Sequence, residues 1–335
     1  TKYVDRTQRG IEVAPYFNHA VPKKEGYKTL VMDVFETEVL REYARQDKNI
    51  PDHKIADIED VDIVGDASDI AALAKPVIGS EGVSFIVSSH NFEHLPNPIK
   101  FLKGCSEILV EGGVISMAIP DYRACFDHYR MPTRLSDWLR AYYEDSDTAA
   151  PERIFDAEAV GADYHDGMRT RQSYNMDRIL PDKFVPWTNL KTSFDNYLQR
   201  LERPCPYADR HFSVLFGHSF ELMLRDLIYL DLLNLEVLEV TPTRGHEFFV
   251  HLRKTESPPR DEAEFYDLRE RLLKQVHRGM GPLAYKTVRS RQIFRFGEVS
   301  ANTLPQPKEL ALMIFGPNLV NRIKAKARER RANRE

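Results

Sequence analysis

Apolar positions along the chain fall into two patterns, short unbroken runs and stripes at helical spacing. Residues 10–14, 27–34, 63–64, 83–87 and 114–119 are brief runs rich in β-branched side chains. Runs of this length, bounded by Gly, Pro or Ser, predict strands, and the most continuous of them predict strands buried on both faces. Residues 36–46, 70–77 and 98–109 carry apolar side chains every third or fourth position and predict helices. The second should stop at Pro76, and Glu111-Gly112-Gly113 should break the third from the strand that follows. Alternation of strand and helix up to Pro120 predicts an α/β fold with a doubly wound, mostly parallel sheet.

Beyond Asp121 the pattern changes. Residues 122–208 are rich in Tyr, Arg, Asp and Trp and are punctuated by Pro132, Pro151, Pro181, Pro186, Pro204 and Pro206. This stretch predicts a mostly helical insertion, with helices near 138–143 and 193–201. Insertions beyond strand ends commonly wall a substrate site. A strong helical stripe at 219–233 follows, then two runs at 235–241 and 248–252 that predict an antiparallel hairpin completing the sheet. The expected organisation is a domain over 1–255 carrying the insertion, then a charged helical C-terminal extension or linker over 256–335.

Composition narrows the functional classes. The chain has 335 residues and a formal net charge of −4, so bulk attraction to nucleic acid is not expected. Cys105, Cys125 and Cys205 form no close pair, which argues against a disulfide framework or a zinc ribbon and suits a reducing cytosol. No apolar run approaches the ~20 residues of a membrane span, and the polar first residues show no signal peptide, so a cytoplasmic protein is expected. The tail over 321–335 is strongly basic. It reads as a solvated helix or a linker to a further domain, or else as a peripheral contact with the anionic inner face of the membrane.

In a doubly wound sheet, ligands bind outside the carboxyl ends of the strands. Asp33 lies about 20 residues beyond the first strand-to-helix turn, the usual offset of an acid that holds a ribose diol. The plainer alternative is that it caps the helix over 36–46. The first turn reads E-V-A-P-Y-F-N from Glu12 to Asn18, without the glycines that let a backbone approach a pyrophosphate. That argues against a nicotinamide or flavin cofactor and leaves a nucleoside cofactor without phosphate.

The segment VSFIVSSHNFEHLPNPIKFLKGCSEILVEGGVISMAIPDYR, from Val83 to Arg123, resembles the fourth strand, helix and fifth strand of class I S-adenosyl-L-methionine-dependent methyltransferases. The resemblance implies a Rossmann-like fold and S-adenosyl-L-methionine as cofactor. It places Glu12, Ala14, Pro15 and Tyr16 in the first motif, with Ala14 where the family has its first glycine. It puts Asp33 and Val34 on the ribose, Asp66 and Ala67 beside the adenine, and Ser88, Ser89 and His90 after the fourth strand. The E-V-A-P turn and the long insertion resemble bacterial methyltransferases found with glycosyltransferases of surface-polysaccharide synthesis. This implies a sugar hydroxyl as acceptor, on a nucleotide sugar or a glycan, and a glycosyltransferase as partner or fused domain. The alternatives are another small-molecule acceptor, or a non-catalytic scaffold for a glycosyltransferase.

Methylating a hydroxyl calls for a proton acceptor with a pKa near neutrality. His90 is the first candidate, His94 the second, and His165 from the insertion the reserve. Asp163-Tyr164-His165-Asp166 could ligate magnesium but reads better as a solvated loop, so no metal is expected. His211 and His218 read as capping or partly buried. Trp138, Trp187, Tyr142, Tyr143 and Tyr164 read as core, with stacking on a sugar as the alternative.

Overall fold

A computed structural model describes residues 2–145, 150–177, 183–203, 208–258 and 261–280. The chain divides into two units, Thr1–Ala284 and Tyr285–Glu335. The basic tail and the later part of the C-terminal extension lie outside the described residues.

The first unit begins β1 (Arg9–Val13), β2 (Lys28–Asp33), α1 (Thr37–Gln46), α2 (Asp52–Ile55), β3 (Ile63–Val64), α3 (Ile70–Ile78), β4 (Val83–Ser89), α4 (Pro98–Ile108) and β5 (Leu109–Pro120). The insertion holds α5 (Leu135–Tyr143), α6 (Pro151–Val160), β6 (Ala162–His165), β7 (Thr170–Arg171), β8 (Phe184–Pro186) and α7 (Leu190–Glu202). α8 (Gly217–Tyr229), β9 (Leu235–Val240), β10 (Glu247–Lys254) and α9 (Glu262–Gly279) complete the unit. The main sheet has the order β3-β2-β1-β4-β5-β10-β9. β1 to β5 pair in parallel, and β10 runs antiparallel to both β5 and β9. The fold is therefore Rossmann-like, and its strand order reverses between β1 and β4.

The core follows from the sequence runs. Ile11, Ile86, Ile115 and Ile119 bury completely in the central strands. Phe92, Phe101, Trp138 and Phe220 form an aromatic cluster over one face of the sheet, between α4, α5 and α8. Gly10 is required in β1, because a Cβ there would meet the Phe85 ring at 2.1 Å. Asn97 caps α4 by accepting from Lys100 N, and Pro98 occupies its first turn, where a missing N–H costs nothing.

Three expectations need correction. α3 runs through Pro76 to Ile78, because Ala74 and Ile78 on its buried face hold the last turn in the core. Glu111-Gly112-Gly113 does not separate two elements. β5 starts directly after α4, and the glycines absorb a register shift against β4. α8 stops at Tyr229, short of residue 233. The insertion is mostly helical, as expected, and adds a small antiparallel sheet of order β7-β6-β8. Tyr164 of β6 buries with Ala124 and Tyr174, an apolar contact that the polar D-Y-H-D run conceals. α9 packs on α8 through a stacked pair, Tyr229 and Phe265, with ring centroids 3.9 Å apart. Among the described residues no helix is long and apolar enough to cross a membrane.

Candidate functional site

A cavity of about 390 Å³ opens at the carboxyl ends of β1 to β4, where the strand order reverses. Its lining includes Ala14 and Tyr16 after β1, Asp33 and Val34 at the end of β2, Asp66 and Ala67 after β3, and His90 and Asn91 after β4. His94, Asp209 and Phe212 close the side facing the insertion. The volume lies in the range of small-molecule sites. Among the described lining residues there is no Lys or Arg, while Asp33, Asp66 and Asp209 are present. Such a lining suits a cationic ligand better than a phosphate.

The first turn keeps a glycine-like path without glycine. Ala14 and Tyr16 both have φ of 51°, in the left-handed region. Each such residue costs roughly 1–2 kcal/mol of backbone strain. His90 has the same φ, so three of the five non-glycine left-handed residues among those described line this one cavity. Strain of this kind collects where function over-determines the backbone. Glu12 lies outside the lining. It is 2% exposed and accepts from Ala20 N at 2.6 Å and from His19 Nδ1 at 2.9 Å, so it ties down the loop that leaves the turn. Pro15, Ser88 and Ser89 also lie outside the lining.

Asp33 is buried, and its Oδ1 accepts from Phe35 N at 3.1 Å. The residue at the N-cap of α1 is Glu36, so capping does not account for Asp33. Burial pushes its carboxyl pKa up, against the opposing backbone N–H groups of Phe35 and Val34. Tyr16, Phe35, Leu40 and Tyr43 give the adjoining wall an apolar and aromatic surface. Asp66 spends one oxygen on Ser68 N, 2.7 Å away, which caps the single turn Ala67–Asp69.

His90 stands at the mouth of β4. Its backbone N donates to Ala118 O, and its ring Nε2 lies 2.8 Å from Glu247 Oε2. Burial lowers the imidazole pKa, but the Glu247 bond and the charge of Glu93 outweigh it and the net direction is up. His94 shows the same balance: burial is outweighed by Asp209, 3.2 Å from Nδ1, and by Glu93. His165 lies apart from the cavity lining, in β6, where its Nδ1 accepts from Gly167 N. Asp163 accepts from Trp187 Nε1 at 2.7 Å. Asp166 accepts from Arg171 and from the N–H groups of Met168 and Arg169. The D-Y-H-D run thus forms a strand and a turn instead of a solvated loop.

Sequence reasoning missed Glu93, Asp127, Asp209 and the setting of His211. Glu93 O accepts from Phe212 N and Ser213 N, which docks the segment before α8 against the single turn Phe92–His94. His211 Nδ1 donates to Asp127 Oδ2 at 2.6 Å, and Arg130 donates to Asp127 Oδ1 at 2.7 Å. Burial raises the Asp127 carboxyl, but Arg130 and His211 bring it down to about 2. The linear signals, E-H at 93–94 and D-R-H at 209–211, are too short to read alone. Trp138 is core, and Trp187 packs on Phe126.

No family model and no curated protein matches the chain. Among solved structures it is similar to an S-adenosylmethionine-dependent methyltransferase from Methanosarcina mazei, at 10% identity and a TM-score of 0.32, over 76% of this chain and 96% of that one. It is also similar to a glycopeptide N-methyltransferase in complex with S-adenosyl-L-homocysteine, at 12% identity and a TM-score of 0.36, over 76% and 85%. A Rhodobacter sphaeroides protein solved under the name of a Zn-dependent alcohol dehydrogenase matches at 12% identity and a TM-score of 0.38, over 74% and 84%. Likenesses this distant assign no activity, so the functional reading rests on the site itself.

Proposed function

We propose that the chain is an S-adenosyl-L-methionine-dependent methyltransferase whose acceptor is a sugar hydroxyl. The observation that carries this reading is the buried carboxylate of Asp33 at the end of β2, facing a cavity lined by acids and aromatic rings, with no Lys or Arg among the described lining residues. A carboxylate there can accept from both ribose hydroxyls. An acid-lined cavity without Lys or Arg among its described lining residues suits a sulfonium and a nucleoside without phosphate.

Transfer is an in-line displacement. The bound cofactor would supply the methyl group: as the acceptor oxygen bonds to the methyl carbon, the carbon–sulfur bond would break and its electron pair would stay on sulfur as a neutral thioether. The hydroxyl proton passes to His90, which Glu247 orients through Nε2. Most of the acceleration then comes from alignment of the acceptor oxygen with the methyl carbon. The sugar acceptor is supported by the insertion side of the cavity, where Phe212 offers an apolar face and Asn91, His94 and Asp209 offer hydrogen-bonding groups. A glycosyltransferase partner fits the same reading.

Calorimetric titration with S-adenosyl-L-homocysteine tests the cofactor, and turnover on a panel of nucleotide sugars tests the acceptor. His90→Ala should bind the cofactor product normally and lose ~10²–10⁴-fold in turnover. Absence of binding by the intact chain would return it to the scaffold alternative.

A further inference from the structure

The Glu93 carboxylate is 1% exposed, and neither of its oxygens has a hydrogen-bond partner among the described residues. An ionised carboxylate stripped of water and left without hydrogen bonds is costly unless a charge compensates it. Imidazole nitrogens surround it instead. His94 Nε2 and His211 Nε2 each lie 3.8 Å from Glu93 Oε1, and so does His90 Nδ1. The donor atoms of Glu93, His94 and His211 all fall within 4.8 Å of one another.

We propose that Glu93, His94 and His211 bind one divalent transition-metal ion, such as Zn²⁺, on the insertion side of the cavity. Bonds of ~2.0–2.1 Å in tetrahedral geometry put donor atoms roughly 3.3 Å apart, so the two 3.8 Å separations from Glu93 need to shorten by about half an ångström and the imidazoles, within 4.8 Å of each other, must draw together on binding. The outer partners fit as well. His211 gives its Nδ1–H to Asp127, and the Asp209 carboxylate stands beside His94 Nδ1. A carboxylate behind each ligating imidazole fixes its tautomer and turns Nε2 toward the metal. Arg130 in turn braces Asp127. Two imidazoles and one carboxylate favour a first-row transition ion over magnesium, which prefers oxygen ligands and water.

Two other donor groups are weaker. His90, His246 and Glu247 already contain a direct 2.8 Å hydrogen bond. Cys125, Asp127 and His211 would rely on a buried thiol whose pKa burial pushes well up. His94 also lines the cavity, so the proposed site borders the space left for an acceptor. On the methyl-transfer reading, on which this clause alone rests, the ion would hold the acceptor oxygen and His90 would take its proton. From the sequence no metal is expected, and sequence spacing cannot show residues 93 and 211 meeting in space.

Cobalt titration of the chelator-stripped full chain tests the site without reference to turnover. Visible d–d absorption should saturate at one Co²⁺ per chain and be displaced by Zn²⁺, without a sulfur charge-transfer band. The near-isosteric Glu93→Gln and the separate His94→Ala should abolish saturable binding while keeping the thermal unfolding transition. Asp127→Asn should weaken binding ~10–100-fold. Three results would overturn the assignment: no saturable Co²⁺ binding by the parent chain, binding unchanged in Glu93→Gln and His94→Ala, or a sulfur band that disappears in Cys125→Ser. Parallel calorimetry with S-adenosyl-L-homocysteine separates the two proposals. Cobalt binding without S-adenosyl-L-homocysteine binding removes the methyl-transfer reading and leaves the metal site. The opposite result does the reverse.

Discussion

Replacing Asp33 with Asn isolates the interaction on which the cofactor assignment depends. The amide keeps one oxygen to accept from Phe35 N, 3.1 Å away in the parent, so the local backbone retains its partner. What is lost is the charge and the second acceptor. A hydrogen bond to a charged group contributes about 1.5–3 kcal/mol, which corresponds to roughly 10–150-fold in the dissociation constant. Folding should not suffer. Burial raises the Asp33 pKa in the folded chain, so the folded state binds that proton more readily than the unfolded one. Ionised Asp33 therefore opposes folding above its folded pKa, and this penalty is absent below the unfolded value. The Asn variant should match or exceed the parent in unfolding temperature at neutral pH. The same raised pKa predicts that parent binding of S-adenosyl-L-homocysteine weakens as pH falls through it, sooner than an ordinary carboxylate would allow. The variant should lack that component. Calorimetry at neutral pH and at descending pH reads both effects. An affinity within threefold of the parent, or identical pH profiles, would refute the ribose role of Asp33.

Three further changes test other links. Ala14→Val puts a β-branched side chain at a φ of 51° beside the cavity, so it should cost roughly 1–3 kcal/mol in denaturant unfolding and weaken S-adenosyl-L-homocysteine binding, while Ala14→Gly keeps that binding. Trp138 is fully buried and donates to Ser213 Oγ, so Trp138→Ala should lower unfolding free energy by ~3–5 kcal/mol with an unchanged denaturant slope. Arg200 forks onto both oxygens of Glu158 at 2.7 and 3.0 Å, joining α7 to α6, and Arg200→Ala should cost about 1–3 kcal/mol, seen as faster amide exchange in α7. Burial raises the Glu158 pKa, but Arg200 and Asn196 outweigh it and lower the net value, so this tie holds above the unfolded carboxylate pKa and is lost as pH falls through the folded one.

The central sheet was legible because its strands are buried on both faces, and unbroken β-branched runs leave little ambiguity. Asp33 was legible for a related reason: a strand end followed by a helix puts its last acid at the sheet's carboxyl edge. Local readings failed where tertiary packing overrides propensity. Pro76 stays inside α3 because the core holds Ala74 and Ile78 on either side of it. The β6 strand hides in a polar run because the residues it buries, Ala162 and Tyr164, alternate with Asp163 and His165. Glu12 has the right position for the first motif, yet its side chain turns away from the cavity toward Ala20 and His19. Glu93 was invisible for a deeper reason. A buried carboxylate is defined by what surrounds it, and its surroundings include His211, which no short pattern connects to it.

The five residues from His90 to His94 show how one short segment can serve several ends. His90 adopts a left-handed conformation, and its backbone N is anchored on Ala118 O, which ends β4 abruptly. The chain then makes a single turn whose first residue, Phe92, is fully buried against Phe101, Trp138 and Phe220. With Phe92 fixed in the core, the next side chain points into the space beneath the insertion and the one after it returns to the cavity. Glu93 thus meets His211, and its backbone oxygen receives Phe212 and Ser213. The aromatic core, the cavity wall and the docking of the insertion therefore share one rigid turn. A left-handed His90 is worth its strain because an extended residue there would carry β4 onward, and Phe92 would miss the core that orients everything after it.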